Sequence, residues 1–242
     1  MQQWNTLVSK NHFDNQTQRF TRVMSTPIEP LSSNILALMY FGDIVFAVSG
    51  ALVAGRKRMD IVGFALIGTI TGIGGGTLRD LLLGRTVWWT QDPIELMLCV
   101  GVSVATFFVV PESVARQKWM NWCDGLGLAA FSVVGCHIAL SVQAPPVVAI
   151  FMGMLTATGG GVIRDVLTQS KPMITSGQLY ATAALAGAAC YAGLIHLSVT
   201  ELIAESLAFV SCFLLRAAAI IFDICMGPPG EFLRLQRSES QN

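Results

Sequence analysis

The chain has 242 residues, 53% hydrophobic and only 12% charged, with 15 Lys and Arg balanced by 15 Asp and Glu. Soluble proteins carry roughly 25% charged residues, so these figures exclude an ordinary soluble enzyme, a disordered tail protein and a disulfide scaffold. The neutral balance also lacks the basic footprint of a nucleic-acid binder, and a mean hydropathy of +0.60 points to a multi-spanning membrane protein.

Residues 1–33 form a polar N-terminal segment containing Lys10, Arg19 and Arg22, without the apolar run of a secretory signal. Seven apolar spans follow, at 34–54, 60–83, 93–110, 123–141, 146–167, 179–197 and 206–224. Each approaches the ~17–25 residues a helix needs to cross ~30 Å of hydrocarbon. The runs are continuous rather than alternating, which argues against barrel strands. The predicted fold is therefore an all-α integral membrane protein. It divides into a first three-helix repeat (34–115), a second (116–200), a seventh helix (201–226) and a polar tail (227–242). Arg56, Lys57, Arg58, Arg116, Lys118, Lys171, Arg234 and Arg237 fall on one side, against Arg85 and the N-terminal cations on the other. The positive-inside rule then puts the C-terminus in the cytoplasm and the N-terminus outside. Six Cys lie in or beside the spans without metal-ligand spacing and read as small packing hydrophobes.

Self-similarity is the most informative feature. Thr71-Gly72-Ile73-Gly74-Gly75-Gly76-Thr77-Leu78-Arg79-Asp80 matches Thr156-Ala157-Thr158-Gly159-Gly160-Gly161-Val162-Ile163-Arg164-Asp165 at an offset of 85 residues. The same offset pairs Phe46–Gly50 with Phe131–Gly135, Gly68 with Gly153, and Leu82 with Leu167. Three spans per copy is an odd number, so the second copy enters the membrane inverted.

Each Gly costs ~1 kcal/mol in a helix interior. Three in a row predict breaks in helices two and five, tolerated only where protein or a water-filled cavity satisfies the freed backbone. Exposed carbonyls with the hydroxyls of Thr71 and Thr156 would suit a monovalent cation near Gly74 and Gly159. Asp80 and Asp165 would sit at the new helix starts. The competing reading is glycine for close helix packing. A dinucleotide-binding reading fails, because no βαβ pattern surrounds the glycines and the second copy has Ala157 at the first glycine position.

Ionisable residues inside spans are functional candidates. Asp43 lies mid-span with Leu128 as its counterpart, so it would attract cations on one side only. Arg79 with Asp165, or Arg164 with Asp80, would pair across the pseudo-two-fold as structural or gating charges. Arg216 sits in span seven with Asp223 further on, Asp124 reads as an interfacial cap, and His137 as a packing residue. Trp88, Trp89, Trp119 and Trp122 suit an interfacial belt.

The paired G-G-G-x-x-R-D motifs, the Phe46–Gly50 and Phe131–Gly135 blocks and the seven-span 3+3+1 layout resemble the TRIC family of trimeric intracellular cation channels, prokaryotic type. The same bacterial sequences are also described as glycine-transporter-like. The resemblance implies a homotrimer in a prokaryotic inner membrane, with one pore per protomer lined by helices two and five broken at Gly74–Gly76 and Gly159–Gly161. It implies a channel for K⁺ and other monovalent cations. Animal members use a Lys in span four for control; that span here has His137 instead. A short two-helix constriction would discriminate weakly between K⁺ and Na⁺. The permeant K⁺ or Na⁺ and a bound lipid are the expected small partners, with no cofactor and no nucleic acid. The alternatives are a secondary transporter for a small zwitterion such as glycine and a membrane scaffold without flux. No nucleophile–base pair or metal-ligand set suggests an enzyme.

Overall fold

The structure, a computed structural model, describes residues 31–109, 116–175, 179–222 and 224. Among the described residues seven α-helices follow in order: α1 (Ser33–Arg56), α2 (Ile61–Leu82), α3 (Ile94–Val109), α4 (Arg116–Ser141), α5 (Pro146–Leu167), α6 (Ala181–His196) and α7 (Glu201–Ile221). Local chemistry sets their starts. The Ser32 hydroxyl accepts the Ile35 N–H at 3.4 Å, Asp60 Oδ1 accepts the Gly63 N–H at 2.8 Å, and Pro146 opens α5.

Five helices are long and apolar enough to cross a membrane; α3 and α6 are shorter apolar helices. Their outer faces carry Val62, Leu66, Phe108, Val147, Phe151, Leu202 and Leu214, all exposed. That much outward apolar surface has no place in water and matches the acyl-chain layer. The helices agree with the predicted spans except that α4 starts at Arg116 and α7 at Glu201, ahead of the expected 123 and 206. Both early starts carry charged residues (Arg116 and Lys118; Glu201 and Glu205), so helix continues beyond the stretch that hydropathy detects. The tail, Asp223 and Cys225 lie outside the described residues.

The predicted repeat has counterparts in the structure at equivalent turns. Arg58 (φ 54°) and Gln143 (φ 60°) turn the α1–α2 and α4–α5 connections. Gly84 (φ 66°) and Gln169 (φ 50°) turn the chain after α2 and α5, followed by the 3₁₀ turns Trp88–Thr90 and Met173–Thr175. Each pair is separated by the offset of 85 found in the sequence. The two copies meet along α1 with α4 and along α2 with α5. Phe46 and Phe131 stack with ring centroids 5.4 Å apart and an interplanar angle of 17°. Phe131 covers Gly42 and Phe46 covers Gly127, the equivalent positions exchanged. Exchange of equivalent contacts is the mark of a two-fold relation.

The expected breaks in helices two and five are absent. α2 runs as uninterrupted α-helix through Gly74–Gly76, and α5 through Gly159–Gly161. Energetics explain this. The three glycines cost a helix about 3 kcal/mol in all, whereas a break in a bilayer leaves several backbone groups unpaired at several kcal/mol each. The glycines instead let two intact helices touch backbone to backbone, so the close-packing reading is the correct one.

Candidate permeation site

The site begins at the α2–α5 crossing. A Cβ on Gly75 would land on the Thr156 carbonyl oxygen, and a Cβ on Gly160 on the Thr71 carbonyl oxygen. No residue larger than glycine fits at either position without moving a backbone. Just beyond, a Cβ on Gly74 would meet Ile163 Cδ1 at 3.2 Å, and one on Gly159 would meet Leu78 Cδ1 at 3.2 Å. Leu78 and Ile163 are themselves repeat equivalents, so apolar side chains lie over both positions expected to neighbour a cation.

Thr71 and Thr156 are fully buried. Their hydroxyls donate to the Ile67 and Met152 carbonyls of their own helices, each at 2.6 Å. Gly50 of α1 lies against the Thr71 hydroxyl and Gly135 of α4 against that of Thr156. The threonines thus present carbonyls to the crossing and keep their hydroxyls bound.

Each glycine run leads to a buried Arg–Asp pair near its helix end. Arg79 Nε donates to Asp80 Oδ1 at 2.9 Å, and Asp80 Oδ2 accepts the Trp88 backbone N–H at 3.4 Å. Arg164 Nε donates to Asp165 Oδ1 at 2.8 Å, and Asp165 Oδ2 accepts the Met173 N–H at 3.1 Å. The expected cross-pairing of Arg79 with Asp165, or Arg164 with Asp80, is therefore replaced by pairing within each motif. Each arginine turns back onto the aspartate beside it, so the cross-partners do not pair. The local pair then ties its helix end to the connection that follows.

The surroundings of the two arginines differ. Arg164 Nη1 also donates to Asp124 Oδ1 and to Ser49 Oγ, both at 2.6 Å. Asp124, expected as an interfacial cap, is wholly buried in this network. Ser49 comes from the first repeat, so the network joins both halves. Nearby, the Arg216 guanidinium carbon lies 5.1 Å from the Tyr180 ring centroid, within cation–π range. Around Arg79 lies instead a cavity of about 20 Å³, lined among others by Asp43, Arg79, Asp80, Trp88 and Glu95. Asp43 is where the sequence placed it, mid-helix and 2% exposed.

Glu95 and Ser49 were not anticipated, and Asp124 was assigned a lesser role. A signal existed. At the repeat offset Glu95 faces Tyr180, Asp124 faces Met39 and Ser49 faces Val134. Polar residues that break the repeat mark the places where the halves specialise. His137 Nδ1 lies 2.7 Å from the Tyr191 hydroxyl, a packing bond between α4 and α6.

These elements define a multi-pass membrane protein whose two repeat halves meet at a glycine crossing flanked by buried charges. A family model described as "Glycine transporter" matches residues 36–111 and again 121–196, reproducing the repeat and its offset. The chain is 40% identical over 190 residues to the inner membrane protein YadS of Escherichia coli K12, covering 76% of this chain and 92% of YadS. The crystallised TRIC trimeric intracellular cation channel orthologue from Rhodobacter sphaeroides is 44% identical, with a TM-score of 0.77 over 80% of this chain and 100% of that one. A prokaryotic TRIC channel crystallised in 0.5 M KCl is 31% identical, with a TM-score of 0.75 over 80% of this chain and 98% of that one. The chain belongs to this family, the prokaryotic TRIC proteins.

Proposed function

We propose that the protein is a K⁺-permeable monovalent cation channel with one passage in each protomer, running between α2 and α5. The observation that carries this reading is the crossing itself. A carbonyl oxygen has two lone pairs. A helix uses one, and at Thr71 and Thr156 a glycine of the other helix covers the second. Separation of α2 from α5 uncovers both oxygens and the glycine backbones around them. Thr71, Gly74, Gly75, Gly76, Thr156, Gly159, Gly160 and Gly161 then line a path whose oxygens replace part of an ion's water. Leu78 and Ile163 close that path as apolar plugs.

The supporting parts follow. Asp43 draws cations toward one mouth. Arg79 with Asp80 and Arg164 with Asp165 hold the helix ends while the middle moves, and Arg216 braces the second pair. Two helices offer fewer oxygens than a four-fold carbonyl ring, so K⁺ and Na⁺ are poorly distinguished. Likeness to solved TRIC cation channels, one of them described as trimeric, supports flux over catalysis and a homotrimer in lipid. The charge distribution supports an outside N-terminus and a cytoplasmic C-terminus.

The test is current through purified protein in planar bilayers under K⁺, Na⁺ and Cl⁻ gradients. Cation currents are expected, and Gly75→Val with Gly160→Val should reduce K⁺ flux by about tenfold or more, equivalent to ~1.4 kcal/mol of added barrier. Saturable glycine uptake, competed by other small zwitterions and without current, would overturn the assignment.

A further inference from the structure

The cavity beside Arg79 holds more acid than its arginine satisfies. Glu95, in the first turn of α3, is 6% exposed, and Asp43 of α1 is 2% exposed. Glu95 Oε1 and Asp43 Oδ2 are buried and have no hydrogen-bond partner among the described residues. Both residues line the same cavity. Arg79 reaches both by charge but directs its Nε and Nη2 at Asp80 Oδ1, each at 2.9 Å. An ionised carboxylate buried without a partner costs several kcal/mol, and here two share one space.

We propose that Asp43 and Glu95 form a binding site for one monovalent cation at the mouth of the passage nearest the α2–α3 connection, a site that deepens the channel reading above. The size fits. One water-sized guest needs roughly 10–15 Å³, and the cavity offers about 20 Å³. The ligands fit, since carboxylate oxygens suit hard cations. The charge favours a cation. Asp43, Asp80 and Glu95 line the cavity with Arg79 as the one arginine among the lining residues, and Arg85, whose charge acts on Asp80, and Asp92, whose charge acts on Glu95, lie beside it. Acids outnumber arginines, so the space carries a negative balance. Buried donors without partners among the described residues, Arg79 Nη1 and Trp88 Nε1, line the same space.

The second repeat has no such site. Leu128 stands at the position of Asp43 and Tyr180 at that of Glu95. Asp124 and Asp165 both bond to Arg164. A cation therefore binds at one mouth only, and the channel passes current unequally in its two directions.

The full-length protein in detergent tests this without relying on flux. Its thermal midpoint is compared in KCl and in N-methyl-D-glucamine chloride of equal ionic strength, the organic cation being too large for the cavity. K⁺ should raise the midpoint, Asp43→Asn and Glu95→Gln should each abolish most of that difference, and Glu201→Gln, on the exposed start of α7, should keep it. Wild-type crystals soaked in RbCl should show anomalous density between Asp43 and Glu95, a readout that stands if the variants fail to fold. Equal midpoints in both salts, or Rb⁺ density absent from the cavity, would overturn the site. Cation-specific stabilisation in a protein that passes no current would keep the site and reject the channel, whereas current without stabilisation would do the reverse.

Discussion

The Arg79 and Arg164 clusters grow from the same ten-residue motif yet end in opposite conditions. Both arginines bond the aspartate that follows, and both aspartates hold the next connection by a backbone N–H. Arg164 adds Asp124 and Ser49, so its guanidinium joins α1, α4 and α5 in one fully buried knot. Arg79 adds a cavity, with acceptors and donors that lack protein partners among the described residues. The comparison teaches that a repeat fixes the frame while the residues departing from it assign the work. Asp124 Oδ2 also lacks a hydrogen-bond partner among the described residues, so the two clusters differ in open space and in the number of bonds to arginine. A network that leaves room for water or an ion can change its occupancy, and under the proposal above the second half is the anchor and the first the half that meets ions.

The largest expected effect falls on the anchor. Arg164→Met removes the cation from two buried carboxylates, and breaking a buried pair in this way costs about 3–5 kcal/mol. The variant should lose its folded, monodisperse form in detergent, and adding Asp124→Asn should recover part of it. A monodisperse Arg164→Met protein with an unchanged thermal midpoint would dissolve the distinction between the halves. Arg79→Met should be milder, about 1.5–3 kcal/mol, because Asp80 alone loses a hydrogen-bonded charged partner and the adjoining cavity lets water reach it. Heating both variants side by side ranks them; equal losses would mean that the cavity offers Asp80 no relief.

Much of this frame was legible in the sequence, for identifiable reasons. Spans were legible because continuous apolar runs have one meaning at this length, and the repeat because six of ten motif residues, the three glycines and Arg-Asp among them, recur at one offset. Helix continuity at Gly74–Gly76 and Gly159–Gly161 was not. A glycine triplet lowers local helix stability equally in a break and in a tight crossing, and the deciding fact is the other helix, 85 residues away. The Arg–Asp pairing was hidden because adjacent residues on a helix do not face each other, and only arginine's reach brings Arg79 back onto Asp80. Glu95 was hidden because an acid in the first turn of a helix already has a reason to be there, the helix dipole. Asp124 looked interfacial because the helix containing it was expected to start at 123, whereas it starts at Arg116.

The crossing offers a test in which the halves should behave alike. Gly75→Ala and Gly160→Ala each push a Cβ into a carbonyl of the opposite helix, and overpacking of this kind costs about 1–3 kcal/mol. Because the contacts are exchanged by the two-fold, the two losses should agree, read as thermal midpoints of each single variant. A clear inequality would show that one helix yields more readily than the other, extending the asymmetry from the charge clusters to the crossing.

The smallest effect isolates the first half again. Trp89 Nε1 donates to Thr77 Oγ1 at 2.9 Å, and that hydroxyl in turn donates to the Ile73 carbonyl at 2.8 Å. The second repeat has Val162 and Ile174 at the two positions, so it cannot make this bond. The bond ties the turn after α2 back to the helix beside the cavity. Trp89→Phe keeps the ring and removes the donor, a loss of about 0.5–1.5 kcal/mol. If the first half is the adjustable one, loosening this tie should alter K⁺ current more than stability. The equivalent exchange in the second half, Ile174→Val, removes only a methylene from an exposed side chain and should alter neither. Matching currents in Trp89→Phe and wild-type protein, at matched insertion into the bilayer, would place the adjustable contacts elsewhere in the first repeat.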